Sequence, residues 1–271
     1  MRKALFFDID GTLVNFRGRM PDSAKRALEQ VQRNGHLIVI CSGRSACQIY
    51  PWLLGIGFDG IIAATGAYVE CGQQIVYEHY MDKESILETC ALLDEAHAAY
   101  AAQAKSGLVV NENCRQRIAN RFLAKSADKA MTDQLIANMQ VAERLETRPD
   151  IQKFNFFESQ IPLNEIRTRL ANWCDVTDLS FGRRTDEDGE ISFRGVNKAL
   201  GIQKFIEYAG IAREDTAAFG DGANDLDMLE YAQVGVAMGN AIDDLKERAN
   251  FVTRDIDDDG IAYALKELGL L

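Results

Sequence analysis

The segment Lys3-Ala-Leu-Phe-Phe-Asp8-Ile-Asp10-Gly11-Thr12 is an apolar run that ends abruptly in two acids and a glycine. A short apolar run bounded in this way predicts a β-strand buried on both faces, as in a parallel sheet covered by helices. The acids then lie at the carboxyl end of the strand, where open α/β sheets bind their ligands. Taken alone, the same stretch also fits an ordinary Asp-Gly turn with solvated acids.

The segments that follow alternate between strand and helix patterns. Apolar residues recur at helical spacing over 21–34, residues 36–41 read as a second buried strand, and 45–54 and 60–64 read as a second helix and a third strand. Residues 68–77, with Gly72 at the centre, predict a small hairpin. Strands that alternate with helices predict an α/β fold with a parallel sheet and right-handed crossovers.

The pattern of predicted strands and helices changes after Tyr80. An alanine-rich stretch predicts a long helix over about 82–105, and further strands and helices follow it. From Val196 the pattern of the first 80 residues returns. Because 271 residues suffice for about two domains, we predict one domain formed by residues 1–81 and 188–271 and a second, inserted domain formed by residues 82–187.

The overall charge limits the partners of the protein. There are 30 Lys and Arg against 41 Asp and Glu, a net charge of -11, so the field of the whole molecule repels nucleic acids and acidic membranes. A small phosphate can still bind where a metal ion, a lysine or a helix N-terminus concentrates positive charge.

We find no membrane-length apolar run, no signal-peptide pattern and no CxxC pair among the six cysteines, which predicts a cytoplasmic protein with reduced thiols. A monomer is the expected oligomeric state.

A second acidic cluster lies in Gly220-Asp221-Gly222-Ala223-Asn224-Asp225, which again follows a predicted strand and opens a helix. Helix capping explains one of these acids and leaves Asp221 unexplained. If the two strands are neighbours, Asp221 faces Asp8 and Asp10 across the crevice. Three unpaired carboxylates in one place are costly without a cation, and a hard ion such as Mg²⁺ prefers such ligands.

Two further positions supply positive charge for a phosphate. Ser42 and Gly43 end the second strand, so a hydroxyl and a backbone N–H at a helix start can hold anionic oxygens, although Ser42 also fits a plain N-cap. Lys198 opens a predicted helix, where the helix dipole disfavours a cation unless an anion lies nearby. A solvated lysine is the simpler alternative.

The four motifs together resemble the haloacid dehalogenase superfamily in order and spacing, over essentially the whole chain. These motifs are Asp8-Ile-Asp10-Gly11-Thr12, Ser42-Gly43-Arg44, Lys198 and the segment Gly220 to Asp225. The long insertion, the hairpin before it and Asp259-Gly260-Ile261 resemble the Cof-type sugar-phosphatase branch. The resemblance implies a Rossmann-like core with an α/β cap, and Mg²⁺-dependent hydrolysis of small phosphorylated metabolites such as sugar phosphates.

The resemblance also implies residue roles. Asp8 would be the nucleophile that forms an aspartyl-phosphate, and Asp10 the general acid and base. Mg²⁺ would be bound by Asp8, the backbone carbonyl of Asp10 and Asp221, with Asp225 supporting these ligands. The expected phosphate-binding groups are Ile9 N–H, Ser42, Gly43 N–H, Lys198 and Asn224.

Several points stay open at this level. Arg44 either lies near the substrate or pairs with a core acid, and Thr65 stands where this branch often has Asn.

There are two alternative functions. One is a phosphomutase that uses the same aspartyl-phosphate, and the other is a non-catalytic sensor of phosphorylated metabolites. The run Asp255-Ile-Asp-Asp-Asp259-Gly260 resembles the start of an EF-hand loop, but Lys266 stands where the loop needs Glu, so we interpret it as a solvated turn and helix N-cap.

Overall fold

A computed structural model describes residues 2–125, 132–133, 136–179 and 185–271. The chain forms two compact units, of which the first comprises Met1–Glu78 with Asn197–Leu271 and the second comprises His79–Val196. The predicted boundaries were residues 81 and 188. The second boundary lies later because the strand Gly189–Phe193 pairs within the sheet of the second unit.

The first unit is built on an eight-stranded sheet with the order β14-β13-β12-β1-β2-β3-β4-β5. Its strands are β1 (Ala4–Phe7), β2 (Leu37–Cys41), β3 (Gly60–Ala63), β4 (Tyr68–Cys71), β5 (Gln74–Glu78), β12 (Thr216–Gly220), β13 (Val234–Ala237) and β14 (Phe251–Val252). All adjacent pairs are parallel except those made by β4 and β5. The four residues of β1 are inaccessible to solvent, as expected for a central strand covered on both faces.

The helices of the first unit are α1 (Asp22–Arg33), α2 (Pro51–Leu54), α6 (Lys198–Ala209), α7 (Leu226–Tyr231), α8 (Asp243–Arg248) and α9 (Gly260–Glu267). Helix α1 buries Ala24, Ala27, Leu28 and Val31, the positions that its sequence period selects. The helix predicted over 45–54 is wrong. A 3₁₀ turn at Ala46–Gln48 is separated from α2 because Pro51 restrains Tyr50 to an extended conformation.

The second unit contains a six-stranded sheet with the order β10-β11-β9-β6-β7-β8. Its strands are β6 (Ala99–Ala104), β7 (Gly107–Val110), β8 (Gln140–Val141), β9 (Ile151–Phe157), β10 (Cys174–Thr177) and β11 (Gly189–Phe193), and the helices include α3 (Lys83–Glu95), α4 (Glu112–Lys125) and α5 (Leu163–Leu170). Every adjacent pair of strands is antiparallel except β7 with β8. The α/β architecture of both units agrees with the predicted fold class.

The long alanine-rich helix predicted over 82–105 is wrong in its second half. Helix α3 ends at Glu95, and His97 adopts a left-handed backbone conformation with φ of 50°. The following residues form β6, in which all six side chains are buried. Tertiary packing has here overruled the high helix propensity of alanine, because a small side chain also fits a strand covered on both faces.

Within the part of the chain that the structure describes, no helix is long and apolar enough to cross a bilayer.

Candidate active site

Three loops of the first unit meet at the carboxyl ends of adjacent parallel strands. Asp8 follows β1, Ser42 follows β2 and Asp221 follows β12, and β1 lies between the other two strands. Because the three strands run in the same direction, their carboxyl ends share one edge of the sheet. The parallel pairing therefore brings the sequence motifs together.

Lys198 lies at the centre of this edge. It is the first residue of α6, whose N-cap Asn197 accepts a hydrogen bond from the backbone N–H of Leu200. The Lys198 side chain is fully buried, and its Nζ lies 2.6 Å from Asp8 Oδ1 and 2.5 Å from Asp225 Oδ1. Burial opposes the charged form, but the carboxylates of Asp225 and Asp8 outweigh it and raise the pKa of Lys198 well above its usual value. The solvated alternative for this lysine is thereby excluded.

The two carboxylates that bind this ammonium group belong to a cluster of three. One oxygen from each of Asp8, Asp221 and Asp225 lies within 4.8 Å of the other two. Burial raises the pKa of Asp8 to about 7, with Lys198 acting against the rise and Asp225 and Asp10 adding to it. Burial, together with Asp225 and Asp8, raises the pKa of Asp221 to about 9. The cluster has more negative charge than one lysine balances.

The loop after Asp10 forms one wall of the acidic cluster. Gly11 has a φ of 88°, and a Cβ atom built on it would lie 2.1 Å from Asp221 Oδ2. The hydroxyl of Thr12 donates to Asp221 Oδ1 over 3.2 Å. Only glycine fits here, because the left-handed conformation and the approach of the carboxylate both exclude a side chain.

The side chain of Asp225 binds the backbone of the loop that carries Asp221. Its Oδ2 accepts the backbone N–H groups of Asp221 and Gly222, both at 2.9 Å, while its Oδ1 pairs with Lys198. The side chain is completely buried. Asp225 therefore fixes both the loop that carries Asp221 and the lysine, and one of its oxygens belongs to the group of possible metal ligands.

The side chain of Asp10 is not part of that group. Its two oxygens accept hydrogen bonds from Arg44 Nε and Nη2, each at 2.7 Å. Arg44 Nη2 also donates to the hydroxyl of Tyr50 over 3.0 Å, and its Nη1 donates to the carbonyl of Gln48 over 3.3 Å. Of the two interpretations that the sequence left for Arg44, the structure shows the pairing with a core acid. The predicted metal contact of Asp10 concerns its backbone carbonyl and stays a prediction.

The predicted phosphate-binding residues lie around the same edge. Ser42 is buried, and its hydroxyl accepts the backbone N–H of Arg44 over 3.2 Å; Ile9 and Gly43 are buried beside the two strand ends. Among these predicted phosphate-binding residues, Asn224 gives the clearest indication of a ligand. Its side-chain amide nitrogen is buried and has no hydrogen-bond partner among the described residues. A buried donor of this kind is costly unless a ligand satisfies it.

Thr65 occupies a strained position next to Ser42. Its backbone N–H donates to the Ser42 carbonyl over 3.1 Å, and it has a φ of 56° directly after Ala64 with a φ of 49°. Asn is tolerated in this left-handed region, whereas a β-branched residue is a genuine outlier there. Strain of this sort is concentrated at functional sites.

A divalent cation fits the donor set. The cluster offers carboxylate oxygens, which are the ligands that Mg²⁺ prefers. Burial and the neighbouring carboxylates raise the pKa values of Asp8 and Asp221, and a bound cation would favour their ionised forms.

Sequence reasoning assigned no role to two residues of this region. Thr12 could have been found from its place directly after the Asp10-Gly11 turn. Asn240, whose side chain donates to the carbonyl of Gly11 over 2.8 Å, gave no local signal because the two residues are 229 positions apart.

Known proteins resemble this chain over nearly its full length. The sequence profile of the haloacid dehalogenase-like hydrolases matches residues 5–265. YkrA of Bacillus subtilis (strain 168) is 33% identical over 269 residues, which are 99% of this chain and 98% of YkrA. YwpJ of the same organism, named a phosphatase, is 27% identical and covers 98% of this chain and 99% of its own. The solved structure of the HAD subclass IIB sugar phosphatase BT4131 has a TM-score of 0.80 at 30% identity, covering 99% of this chain and 100% of that one.

Proposed function

We propose a reaction for this chain on the premise that it belongs to the haloacid dehalogenase-like hydrolases, as its four motifs predicted, and that it is a phosphatase. The reaction is the Mg²⁺-dependent hydrolysis of a small phosphorylated metabolite through an aspartyl-phosphate on Asp8. The observation that carries the proposal is the buried Lys198 between Asp8 and Asp225, inside a cluster of three acids.

Asp8 is the proposed nucleophile. Lys198 binds its Oδ1 and stabilises the ionised form, so that a carboxylate oxygen is available to attack phosphorus. The new Asp8 oxygen–phosphorus bond forms as the bond from phosphorus to the leaving oxygen breaks. Water then attacks the aspartyl-phosphate, which breaks the Asp8–phosphorus bond and releases inorganic phosphate.

Asp10 is the proposed proton carrier in both steps. In the first step its carboxyl group gives a proton to the leaving oxygen, and in the second step its carboxylate takes a proton from the attacking water. Arg44 holds both oxygens of Asp10 in a two-fold hydrogen bond, and each oxygen keeps a further lone pair at which the exchanged proton can be held. Arg44 therefore orients the acid between turnovers rather than contacting the phosphate.

Positive charge and directed donors would hold the phosphoryl group. Lys198, the Ser42 hydroxyl, the backbone N–H groups of Ile9 and Gly43, and the unpartnered amide of Asn224 are the proposed contacts. Asp8 and Asp221 with the backbone carbonyl of Asp10 would hold Mg²⁺, supported by Asp225. When bound, the ion supplies positive charge that neutralises the phosphoryl oxygens. Preorganised charge of this kind is the main source of rate in phosphoryl transfer.

Sugar phosphates are the proposed substrate class, supported by the 30% identity to a sugar phosphatase over the full chain. The test is release of inorganic phosphate from p-nitrophenyl phosphate and from a panel of sugar phosphates by the purified chain. We expect activity with Mg²⁺, none in EDTA, and none for Asp8→Asn, which keeps the shape of the side chain but removes its nucleophilic charge. Activity in Asp8→Asn or in EDTA would contradict the assignment. Turnover that requires an added sugar bisphosphate would instead support the phosphomutase.

A further inference from the structure

The side chain of Asn240 joins two loops that are distant in sequence. Its Nδ2 donates to the carbonyl of Gly11 over 2.8 Å, and its Oδ1 accepts the backbone N–H of Ile256 over 2.9 Å. A second link reinforces this junction, because Asn15 Nδ2 donates to Asp257 Oδ1 over 2.7 Å. The loop after Asp10 is thus attached to the segment that sequence analysis interpreted as a solvated turn.

The loop that carries Asn240 also holds the backbone of the loop that carries Asp221. Met238 N–H donates to the Gly220 carbonyl over 2.9 Å, and Ile242 N–H donates to the Asp221 carbonyl over 3.1 Å. Gly239 packs tightly on the chain behind it, since a Cβ atom there would lie 2.3 Å from the backbone nitrogen of Asp255. One short loop therefore holds the Asp221 backbone on one side and, through Asn240, Gly11 on the other.

Gly11 and Asp221 are in contact, so their relative position matters. The Asp221 carboxylate lies where a side chain of Gly11 would be, and Thr12, the next residue, donates to one of its oxygens. A shift of the Gly11 carbonyl moves the surface against which the carboxylate rests. Mg²⁺ demands near-ideal ligand geometry, so residues that orient its ligands commonly change its affinity by about 10- to 100-fold.

We propose that Asn240 is a positioning residue that sets the affinity of the acidic cluster for its divalent cation by holding Gly11 against the Asp221 carboxylate. The inference rests on the proposed function. Asn240 does not touch the reacting atoms; it acts through Gly11 and the loop that follows Asp10.

The test compares Asn240→Ala and Asn240→Asp with a matched control, Asn34→Ala. Asn34 also uses both ends of its amide, because its Nδ2 donates to the Leu270 carbonyl over 2.9 Å and its Oδ1 accepts from Gln30. It lies at the end of α1, before the start of β2 and so at the opposite edge of the sheet. Asn240→Asp keeps the acceptor for Ile256 but lacks the donor to Gly11. Its added negative charge would by itself tighten cation binding, so weakened binding reports the lost donor.

Binding of Mg²⁺ to the purified full chain is measured by titration calorimetry, and kcat and KM are measured at saturating Mg²⁺. We expect both Asn240 variants to raise the Kd for Mg²⁺ by about 10-fold, and Asn34→Ala to leave it within about twofold although it also loses two hydrogen bonds. Unchanged affinity in Asn240→Ala, or an equal loss in Asn34→Ala, would overturn the inference alone. A wild-type chain that binds no Mg²⁺ would overturn the proposed function and this inference with it.

Discussion

Among the residues that the structure describes, each unit buries one lysine completely, and the two lysines have different surroundings. In the first unit, Lys198 Nζ pairs with Asp8 and Asp225, which together with Asp221 form the acidic cluster at the carboxyl ends of parallel strands. In the second unit, Lys153 extends from the middle of the antiparallel strand β9 and pairs with Glu190 of β11, with 2.5 Å between Nζ and Oε2. Asn155 Nδ2 also donates to Glu190, over 3.4 Å.

Both lysines are completely buried, so the two clusters differ in their charge balance rather than in their burial. The pair of Lys153 and Glu190 is neutral, and a neutral buried pair roughly compensates its own desolvation. Burial, with the neighbouring carboxylates adding to it, raises the pKa values of Asp8 and Asp221 in the cluster around Lys198. When its acids are ionised, this cluster has more negative charge than one lysine balances, and a divalent cation bound there would neutralise that excess and supply positive charge for a phosphate.

Replacing the reactive lysine should have the largest effect. We expect Lys198→Met to lower kcat/KM for p-nitrophenyl phosphate by about 10³-fold or more, the scale of losing a cation from a phosphoryl-transfer site. Lys153→Met, assayed in the same way below its unfolding temperature, should stay within about twofold, because nothing in the proposed reaction uses it. Equal losses in the two variants would break the distinction between the clusters.

The structural pair should instead appear in stability. Lys153→Met leaves Glu190 buried without its lysine, which should cost about 3–5 kcal/mol in the free energy of unfolding. The double variant Lys153→Met/Glu190→Gln removes both charges and should recover most of that loss. Urea denaturation measures the free energy of unfolding of the single and the double variant. A double variant as unstable as the single one would show that the ion pair is not the source of the effect.

Glycine substitution tests the geometry of the reactive cluster. Gly11→Ala places a methyl group on the Asp221 carboxylate, and we expect it to lower kcat/KM by about 10²-fold and to weaken Mg²⁺ binding. Gly18→Ala is the matched control, since Gly18 has a φ of 73° with open space around it. That variant should cost about 1 kcal/mol in stability and leave activity unchanged. Similar kinetics in the two variants would contradict the role of Gly11.

The pH dependence of stability should show the smallest effect. In the metal-free folded chain the pKa values of Asp8 and Asp221 are raised to about 7 and about 9, so between the unfolded value of about 4 and these values the folded state binds more protons. The stabilisation of the folded state by these two groups is fully present below about pH 4. It is lost as the pH rises through about 7 and about 9. Thermal unfolding in EDTA should give a Tm several degrees lower at about pH 9 than at about pH 6, and Mg²⁺ should remove this difference. A Tm in EDTA that does not fall over this range would contradict the raised pKa values of Asp8 and Asp221.

Local patterns predicted the strand that carries Asp8 and the acids at its carboxyl end. The meeting of these acids with Asp221 depended on the two strands being neighbours, and the structure shows that β1 pairs with β12. The same reasoning failed at Ala99–Ala104, because alanine suits both a helix and a covered strand and only packing decides between them.

Contacts between distant segments could not be predicted from one sequence. The pairing of Arg44 with Asp10 was one of two alternatives, and the bond from Asn240 to Gly11 gave no signal at all. Hydrogen bonds between loops depend on where the chain turns, which spacing and periodicity do not encode.

The pairing of β1 with β12 has a consequence for the synthesis of the chain. These strands are neighbours in the sheet although about 210 residues separate them, and the whole second unit is made in between. At about 5–20 residues per second, the ribosome needs roughly 10 to 40 s to supply the partner of β1. During that interval the apolar nascent strand has one unpaired edge, which is a template for aggregation. The second unit is contiguous in sequence, so all its strands are made before β12, whereas the sheet that carries the acidic cluster cannot be completed until β12 is made.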